Sequence, residues 1–220
     1  MKTYHKIAVI GGGGRTGKYL VDQLLDDGFQ IKLLLRNPEI SAQTIPLSNP
    51  AVEVIQGDAL DYEKVHALIK GCDAVISLVG QRKGEPLVAS KATLHVLKAM
   101  SEAFDKSEIM RYMLVSGLNL DAPFDRKGPE TLAATEWMKA NYGESHWDKQ
   151  KAYEILQESD VDWTLVRVPL IAFTEERSEI GVSLEDAPGQ NIGAADIAAF
   201  LIEQLDKPAY IRQAPFIAKV

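Results

Sequence analysis

The amino-acid sequence predicts an α/β protein built on a doubly wound parallel sheet, with helices on both faces. Short apolar runs alternate with stretches of helical spacing, which is the pattern of strand–helix units in a parallel sheet. The early apolar runs are continuous, as expected for strands covered on both faces. The predicted strands are Lys6–Ile10, Gln30–Leu35, Val52–Ile55, Ala74–Val79, Arg111–Val115, Trp163–Val166 and Pro215–Ala218. The predicted helices are Thr16–Leu25, Tyr62–Ile69, Leu87–Phe104, Glu130–Ala140, Glu144–Gln157 and Ala195–Leu205.

Residues that interrupt regular structure mark most of the junctions between these elements. The first strand runs into Gly11, the second is followed by Asn37, and the third by Gly57. Glycine also follows the fourth strand at Gly80 and the fifth at Gly117. Each strand is therefore expected to end in a turn at the same edge of the sheet.

Length and composition indicate one globular domain and exclude several classes of function. The chain has 220 residues, is 46% hydrophobic and 25% charged, and carries a formal net charge of −7. This acidic balance argues against a general nucleic-acid binder, which needs a basic surface. No apolar run reaches the roughly 18 residues of a membrane span. We therefore expect a cytoplasmic protein, a monomer or weak homodimer, that binds a small molecule and neither nucleic acid nor membrane.

Two polar segments break the alternation and are long for connections. Gly117–Gly128 follows the fifth strand and Thr174–Asn191 follows the sixth, at the edge where open α/β sheets bind ligands. We expect residues 117–148 and 170–192 to form the substrate side of a single domain, residues 1–220, with a small substrate-loop region near its carboxyl end.

The glycine-rich segment after the first strand predicts a dinucleotide site. Gly11, Gly14 and Gly17 are spaced GxxGxxG between a buried strand and a helix. Gly11 permits a tight turn, Gly14 lets the backbone approach a pyrophosphate, and Gly17 allows close packing of the helix. The phosphates would rest on free N–H groups at the start of the helix.

Arginines near this segment favour NADP(H) over NAD(H). An acidic residue usually ends the second strand of an NAD site, whereas Arg36 stands there in this chain. Arg15 in the glycine segment could close on the same 2′-phosphate from the other side. The alternative is that Arg36 is a solvated strand end.

Two further segments belong to the predicted cofactor site. Asp58 follows the third strand and would lie near an adenine edge, or would cap the helix that follows. The end of the fourth strand, at Val79 and Gly80, could lie against the nicotinamide half. No metal site is predicted.

Several motifs resemble the atypical short-chain dehydrogenase/reductases, in the subgroup of NmrA-like regulators and biliverdin-IXβ/flavin reductases. The motifs are GGGGRTG, RNP, QGD and VSG after strands one, two, three and five, then ESDVDWTLVRVP and IGAADIA. The resemblance spans most of the chain, in order, and implies a Rossmann-like fold. The resemblance also implies a set of cofactor-binding residues, in which we include Gly13 because it belongs to the glycine segment. These residues are Gly11, Gly13, Gly14, Arg15, Thr16, Gly17, Arg36, Asp58, Val79 and Gly80.

The same resemblance implies catalytic positions and one departure from the family pattern. The strand-five serine falls on Ser116 and the family lysine on Lys149, but the position of the family tyrosine holds Ser145. Alcohol and ketone chemistry then lacks its usual proton donor. His146 or Tyr153 could substitute, or each could have an ordinary structural role on its helix.

This departure favours a flat acceptor that needs little more than a well-placed hydride. A flavin, quinone or tetrapyrrole can take its proton from water. The aromatic residues Phe124, Trp137 and Trp147 could stack on such an acceptor, or the two tryptophans could pack the helices together. The sequence thus predicts an NADPH-dependent reductase, with a non-catalytic NADP(H)-sensing protein as the alternative.

Overall fold

The computed structural model describes residues 4–103, 111–207 and 209–220. The strands in these ranges are β1 (Lys6–Ile10), β2 (Gln30–Leu35), β3 (Val52–Gln56), β4 (Ala74–Ser77), β5 (Arg111–Gly117), β6 (Asp162–Val168), β7 (Leu170–Ala172), β8 (Ile180–Ser183), β9 (Asn191–Gly193) and β10 (Phe216–Lys219). The helices are α1 (Gly17–Asp26), α2 (Pro38–Ser41), α3 (Tyr62–Ile69), α4 (Ala89–Ala103), α5 (Pro129–Asn141), α6 (Gly143–Gln157) and α7 (Ala194–Asp206).

The main sheet has the strand order β3-β2-β1-β4-β5-β6-β10-β8. From β1 the chain builds outwards to β3, returns to the other side of β1, and then builds β4, β5 and β6. The pairings from β3 to β10 are parallel, so the carboxyl ends of these strands share one edge. The predicted doubly wound α/β fold is confirmed. Its switch point between β1 and β4 is where such sheets bind ligands.

The outer end of the sheet differs from the prediction. β8 pairs antiparallel with β10, while β7 and β9 form a small parallel sheet of their own. The long polar segment Thr174–Asn191 therefore contains the strand β8, which was not predicted. These strands are short and mostly half-exposed, so they lack the continuous apolar run that marked the central strands.

The core lies on both faces of the sheet, and β1 shows why residues 7–10 are all apolar. Ile7 and Val9 pack into one cluster with Leu20 of α1, whereas Ala8 and Ile10 pack into the cluster on the opposite face. Successive strand residues point to opposite faces, so a strand in the middle of three layers is apolar at every position.

Two predicted elements are shorter than expected, and most of the other predicted boundaries shift by one or two residues. The helix expected over Leu87–Phe104 begins at Ala89, and Phe104 itself lies outside the described residues. The fourth strand stops at Ser77, two residues before its predicted end, although the Leu78 N–H still donates to the Ile10 carbonyl at 2.8 Å. The short helix α2 was not predicted.

Candidate functional site

The loop between β1 and α1 keeps its shape because side chains are excluded at two positions. Gly11 has a φ of 83°, and a Cβ there would lie 2.8 Å from the carbonyl carbon of Leu78. A Cβ on Gly17 would lie 2.5 Å from the Gly12 carbonyl oxygen and closer still to that of Gly11. The chain thus turns tightly from the end of β1 into α1, as the spacing of the glycines predicts.

The start of α1 offers unpaired backbone donors to an anion. In the described part of the chain, the backbone N–H groups of Arg15, Thr16 and Gly17 have no hydrogen-bond partner. The Thr16 side chain does not cap the helix, and no acidic residue lies in its first turn. A helix N-terminus with unpaired N–H groups and no acidic side chain favours binding of a phosphate. The loop therefore fits the pyrophosphate of a dinucleotide.

The two arginines of the predicted phosphate clamp have different partners. Arg36 Nη1 donates to Glu85 Oε2 at 2.7 Å and lies 3.7 Å from Asp58 Oδ2. This hydrogen bond raises the pKa of Arg36 and lowers the pKa of Glu85. The Arg15 guanidinium lies 4.3 Å from the ring centroid of Phe173, in a cation–π contact. Neither partner was predicted from the sequence.

Asp58 does not cap the helix that follows it, so that alternative was wrong. Asp61 caps α3, accepting from the N–H groups of Glu63 and Lys64 at 3.1 and 3.4 Å. Asp58 instead accepts from the Leu60 N–H at 2.8 Å, a local turn that leaves its other oxygen facing Arg36.

A cavity at the carboxyl ends of β4 and β5 brings together the predicted catalytic positions. Ser116 of β5 and Ser145 and Lys149 of α6 all line it, together with Val79. Ser145 and Lys149 are four residues apart on one helix and therefore share a face. The cavity walls also include Gln81, Asp148 and the apolar groups of Ala89, Leu114, Val115 and Ala152.

Lys149 is the cation of this cavity. Its side chain makes no hydrogen bond or ion pair with any residue that the structure describes. Burial lowers the pKa of Lys149, and the charge of Asp148 opposes that shift. An ammonium without a partner beside two serine hydroxyls makes the cavity a place for an oxygen atom of a ligand.

Sequence reasoning missed Asp148, which sits next to Lys149. Its buried carboxylate accepts hydrogen bonds from the Ala89 N–H at 2.7 Å, the Ser90 N–H at 3.2 Å and the Ser90 hydroxyl. Asp148 therefore ties α6 to the start of α4, which fixes that helix start at Ala89. An aspartate in a predominantly polar helix gives no sequence signal of a partner about sixty residues away.

The two candidate substitutes for the missing tyrosine lie elsewhere. Tyr153 is buried and packs edge-on against Trp163, with ring centroids 5.9 Å apart, so it is a core residue and its candidacy was wrong. His146 is not among the residues that line the cavity, and its buried Nδ1 has no hydrogen-bond partner in the part of the chain that the structure describes. Burial lowers the pKa of His146.

Buried charges brace the Gly117–Gly128 segment after β5. Arg167 of β6 donates to Asp125 at 2.7 Å and lies over the ring of Phe216, 3.4 Å from its centroid. Lys127 donates to Asp121 at 2.6 Å and to the Leu120 carbonyl at 2.9 Å. The sequence signal that could have found this arrangement is the charged side chain of Arg167 within a largely apolar strand. The segment after β5 is held by ion pairs in addition to the apolar packing of Leu120.

The predicted stacking residues are exposed and lie outside the cavity. Phe124, Trp137 and Trp147 are 73%, 58% and 61% exposed, so the packing role considered for the two tryptophans was wrong. Trp137 contacts Tyr142 with ring centroids 5.6 Å apart. Trp147 lines a second, shallow cavity with Leu87, Gly143 and Glu144.

Comparisons with known proteins agree with this fold and loop. Residues 11–208 match the NAD(P)H-binding protein family. Cinnamoyl-CoA reductase 2 of Arabidopsis thaliana is 24% identical over 200 residues, covering 81% of this chain and 58% of its own. The chain spans little more than half the length of these curated relatives.

Solved structures show the same fold over nearly the whole chain. A short-chain dehydrogenase/reductase from Veillonella parvula in complex with NADP superimposes with a TM-score of 0.77 at 17% identity, covering 99% of this chain and 95% of its own. The anaerobillin reductase ChuY of Escherichia coli O157:H7 gives 0.76 at 21% identity, with 97% of each chain covered.

The Rossmann-like fold, the glycine loop and the open helix start define a dinucleotide-binding protein. The chain belongs to the NAD(P)H-binding family, which confirms the resemblance to atypical short-chain dehydrogenase/reductases. Its relatives include oxidoreductases. Across residues 4–103, 111–207 and 209–220, none of the helices has the length and apolar character to span a membrane.

Proposed function

We propose that this protein is an NADPH-dependent reductase that delivers a hydride to a flat acceptor such as a flavin, quinone or tetrapyrrole. The observation that carries the proposal is the cavity where Ser116, Ser145 and Lys149 meet at the carboxyl ends of β4 and β5. In this position a donor-rich cavity can hold an oxygen atom of the acceptor beside the reacting carbon or nitrogen.

The cofactor would be held by the loop and by the charges around it. The N–H groups at the start of α1 would bind the pyrophosphate, with Gly13 and Gly14 allowing close approach. Arg36 would pair with the 2′-phosphate of the cofactor. Arg15 could turn away from Phe173 and contact the same 2′-phosphate. The reduced nicotinamide supplies the hydride when bound.

The acceptor needs one hydride and one proton, and this chain supplies the proton only weakly. Ser145 has a far higher pKa than the phenol that stands at this position in related enzymes, so it is a poor general acid. The Lys149 ammonium can stabilise negative charge that develops on an acceptor oxygen, and water can complete the proton transfer. A nearby cation combined with a weak proton donor favours acceptors whose reduced form is a stabilised anion.

The relatives support this class of chemistry. Their names describe reductases of a thioester and of a tetrapyrrole. The exposed rings of Phe124, Trp137 and Trp147 are available for stacking if the acceptor extends out of the cavity.

The test has two stages. Thermal shifts with NADPH, NADP, NADH and NAD should show the largest stabilisation with NADPH and NADP, the two forms that carry a 2′-phosphate. NADPH oxidation is then followed at fixed enzyme concentration with FMN, a benzoquinone and biliverdin. Steady consumption with at least one acceptor supports the proposal.

Two variants make the test specific. Gly14→Val should abolish dinucleotide binding in a folded protein, because a Cβ there meets one loop oxygen at 3.1 Å and the larger side chain fills the phosphate position. Lys149→Met should bind dinucleotide and lose most of its turnover. Tight binding of NADP and NADPH with no turnover of any acceptor would instead identify the sensing function.

A further inference from the structure

Glu85 lies at the position where the proposed function requires a phosphate. Its Oε2 accepts from Arg36 Nη1 at 2.7 Å, and Asp58 Oδ2 is 3.7 Å from the same nitrogen. One guanidinium therefore faces two carboxylates. While Glu85 holds Nη1, Arg36 cannot offer both of its Nη groups to a 2′-phosphate.

The loop between β4 and α4 is folded so that Glu85 reaches Arg36. The Gln81 side-chain amide donates to the carbonyl oxygens of Arg82 and Glu85 at 2.9 Å each and to that of Pro86 at 3.3 Å. The Glu85 N–H donates to the Arg82 carbonyl at 3.2 Å. Gly84, with a φ of 77°, permits this compact turn. The placement of Glu85 thus follows from several local hydrogen bonds.

The two cofactors differ only at the group that this arrangement meets. A 2′-phosphate carries close to two negative charges and is repelled by the Glu85 and Asp58 carboxylates. A ribose 2′-hydroxyl is neutral and can donate a hydrogen bond to a carboxylate. The Glu85 carboxylate therefore opposes the first ligand and tolerates the second.

We propose that Glu85 is a specificity-determining residue, whose carboxylate competes with the 2′-phosphate for Arg36 and narrows the preference for NADP(H) over NAD(H). The proposal rests on the proposed function, in that a dinucleotide must occupy the glycine loop. Removing the charge of Glu85 frees Arg36 for the phosphate and leaves the rest of the nucleotide site unchanged.

The test uses two nucleotides that differ only in the 2′-phosphate, adenosine 2′,5′-bisphosphate and 5′-AMP. Their dissociation constants are measured by calorimetry at low salt for the wild-type protein and Glu85→Gln. Because the pair is exposed, we expect the variant to bind the bisphosphate about two- to fivefold more tightly and 5′-AMP with unchanged or lower affinity. The matched control is Glu154→Gln, an exposed α6 carboxylate that lies 3.5 Å from Lys151, which should change neither constant.

Repeating the Glu85→Gln substitution in an Arg36→Gln protein separates loss of the Arg36–Glu85 ion pair from the general effect of removing a negative charge. In an Arg36→Gln protein, the substitution Glu85→Gln should no longer improve binding of the bisphosphate. The guanidinium for which the Glu85 carboxylate and the 2′-phosphate compete is then absent. An improvement of the same size in that background overturns the proposal, as does an equal change for both nucleotides. If the wild-type protein binds neither nucleotide nor NADPH, the proposed function fails and this inference fails with it. If it binds both and Glu85→Gln has no effect, only the inference fails.

Discussion

The Asp148 carboxylate on α6 accepts a 2.7 Å hydrogen bond from the backbone N–H of Ala89, the first residue of α4. Asp148 is also the neighbour of Lys149 in the sequence, and both line the candidate cavity. One buried side chain therefore closes a helix end and sets the position of the helix turn that carries the lysine. The loop that places Glu85 leads directly into the same helix end.

Asp148→Ala should cost more than the loss of an ordinary helix cap. We expect the free energy of unfolding to fall by about 2 kcal/mol, because buried N–H groups lose their acceptor. Turnover in the NADPH oxidation assay should fall on the order of tenfold, because Lys149 is no longer held in place. Urea unfolding and the split between kcat and KM measure the two effects.

The control for this prediction is Asp61→Ala, which removes the cap of α3 away from the cavity. It should cost about 1 kcal/mol and leave turnover unchanged. If the two variants lose the same stability and the same turnover, Asp148 is a helix cap and nothing more.

The sequence predicted those parts of the fold that depend on local patterns. Residues 7–10 of β1 and 33–35 of β2 are apolar because both faces of the sheet are covered, and the glycines mark the turn that must pass close to Leu78. For the same reason the order and type of the central elements were predictable. The antiparallel strand β8 was not, because its partner is the last strand of the chain and its own residues are only half-buried.

The candidate site was predictable only in part, for a related reason. Resemblance to a family places Ser116, Ser145 and Lys149 in sequence, and the fold then brings them to one cavity. The partners of these and other site residues are set by contacts between distant segments. Glu85 meets Arg36 across 49 positions, and no periodicity or motif records such a pair.

The buried pair of Arg167 and Asp125 should be needed for stability. Asp125→Asn leaves a guanidinium that is 1% exposed without its 2.7 Å counter-charge, and we expect a loss of about 3 kcal/mol in the free energy of unfolding. Asp160→Asn is the control, because Asp160 is fully exposed and lies 3.6 Å from Arg212. Its midpoint in urea should match that of the wild type. Equal midpoints for the two variants would contradict a structural role for the buried pair.

Lys149 should reduce the stability of the ligand-free protein in a pH-dependent way. Burial holds its folded pKa below that of the unfolded chain, so the unfolded state binds the proton more tightly. Between the folded pKa and the ordinary value near 10.5, unfolded chains carry the proton and folded ones do not, and stability rises with pH. Below the folded pKa the full cost of the buried charge remains.

Lys149→Met should therefore unfold at higher urea concentration than the wild type at pH 7, and the difference should shrink as the pH approaches 10. The same variant should lose turnover, because the cavity no longer contains a cation. Lys151→Met, on the exposed side of α6, should show neither effect. A constant difference between pH 7 and 10 would falsify the link between the buried ammonium and stability.

Gly17 should matter for folding as much as for binding. The Cβ of Gly17→Ala would overlap the carbonyl oxygens of Gly11 and Gly12, so the loop must shift. We expect the variant to lose about 2 kcal/mol of stability and to bind NADPH at least tenfold more weakly, because the N–H groups at the start of α1 move with the loop. Gly143→Ala is the matched control, since a Cβ at the first residue of α6 has no heavy atom within 4 Å. It should unfold at the same urea concentration as the wild type, or slightly higher, and bind NADPH equally well. A Gly17→Ala protein with wild-type stability and affinity would show that the loop adapts to a side chain, and that the tight turn is not what holds the phosphate site together.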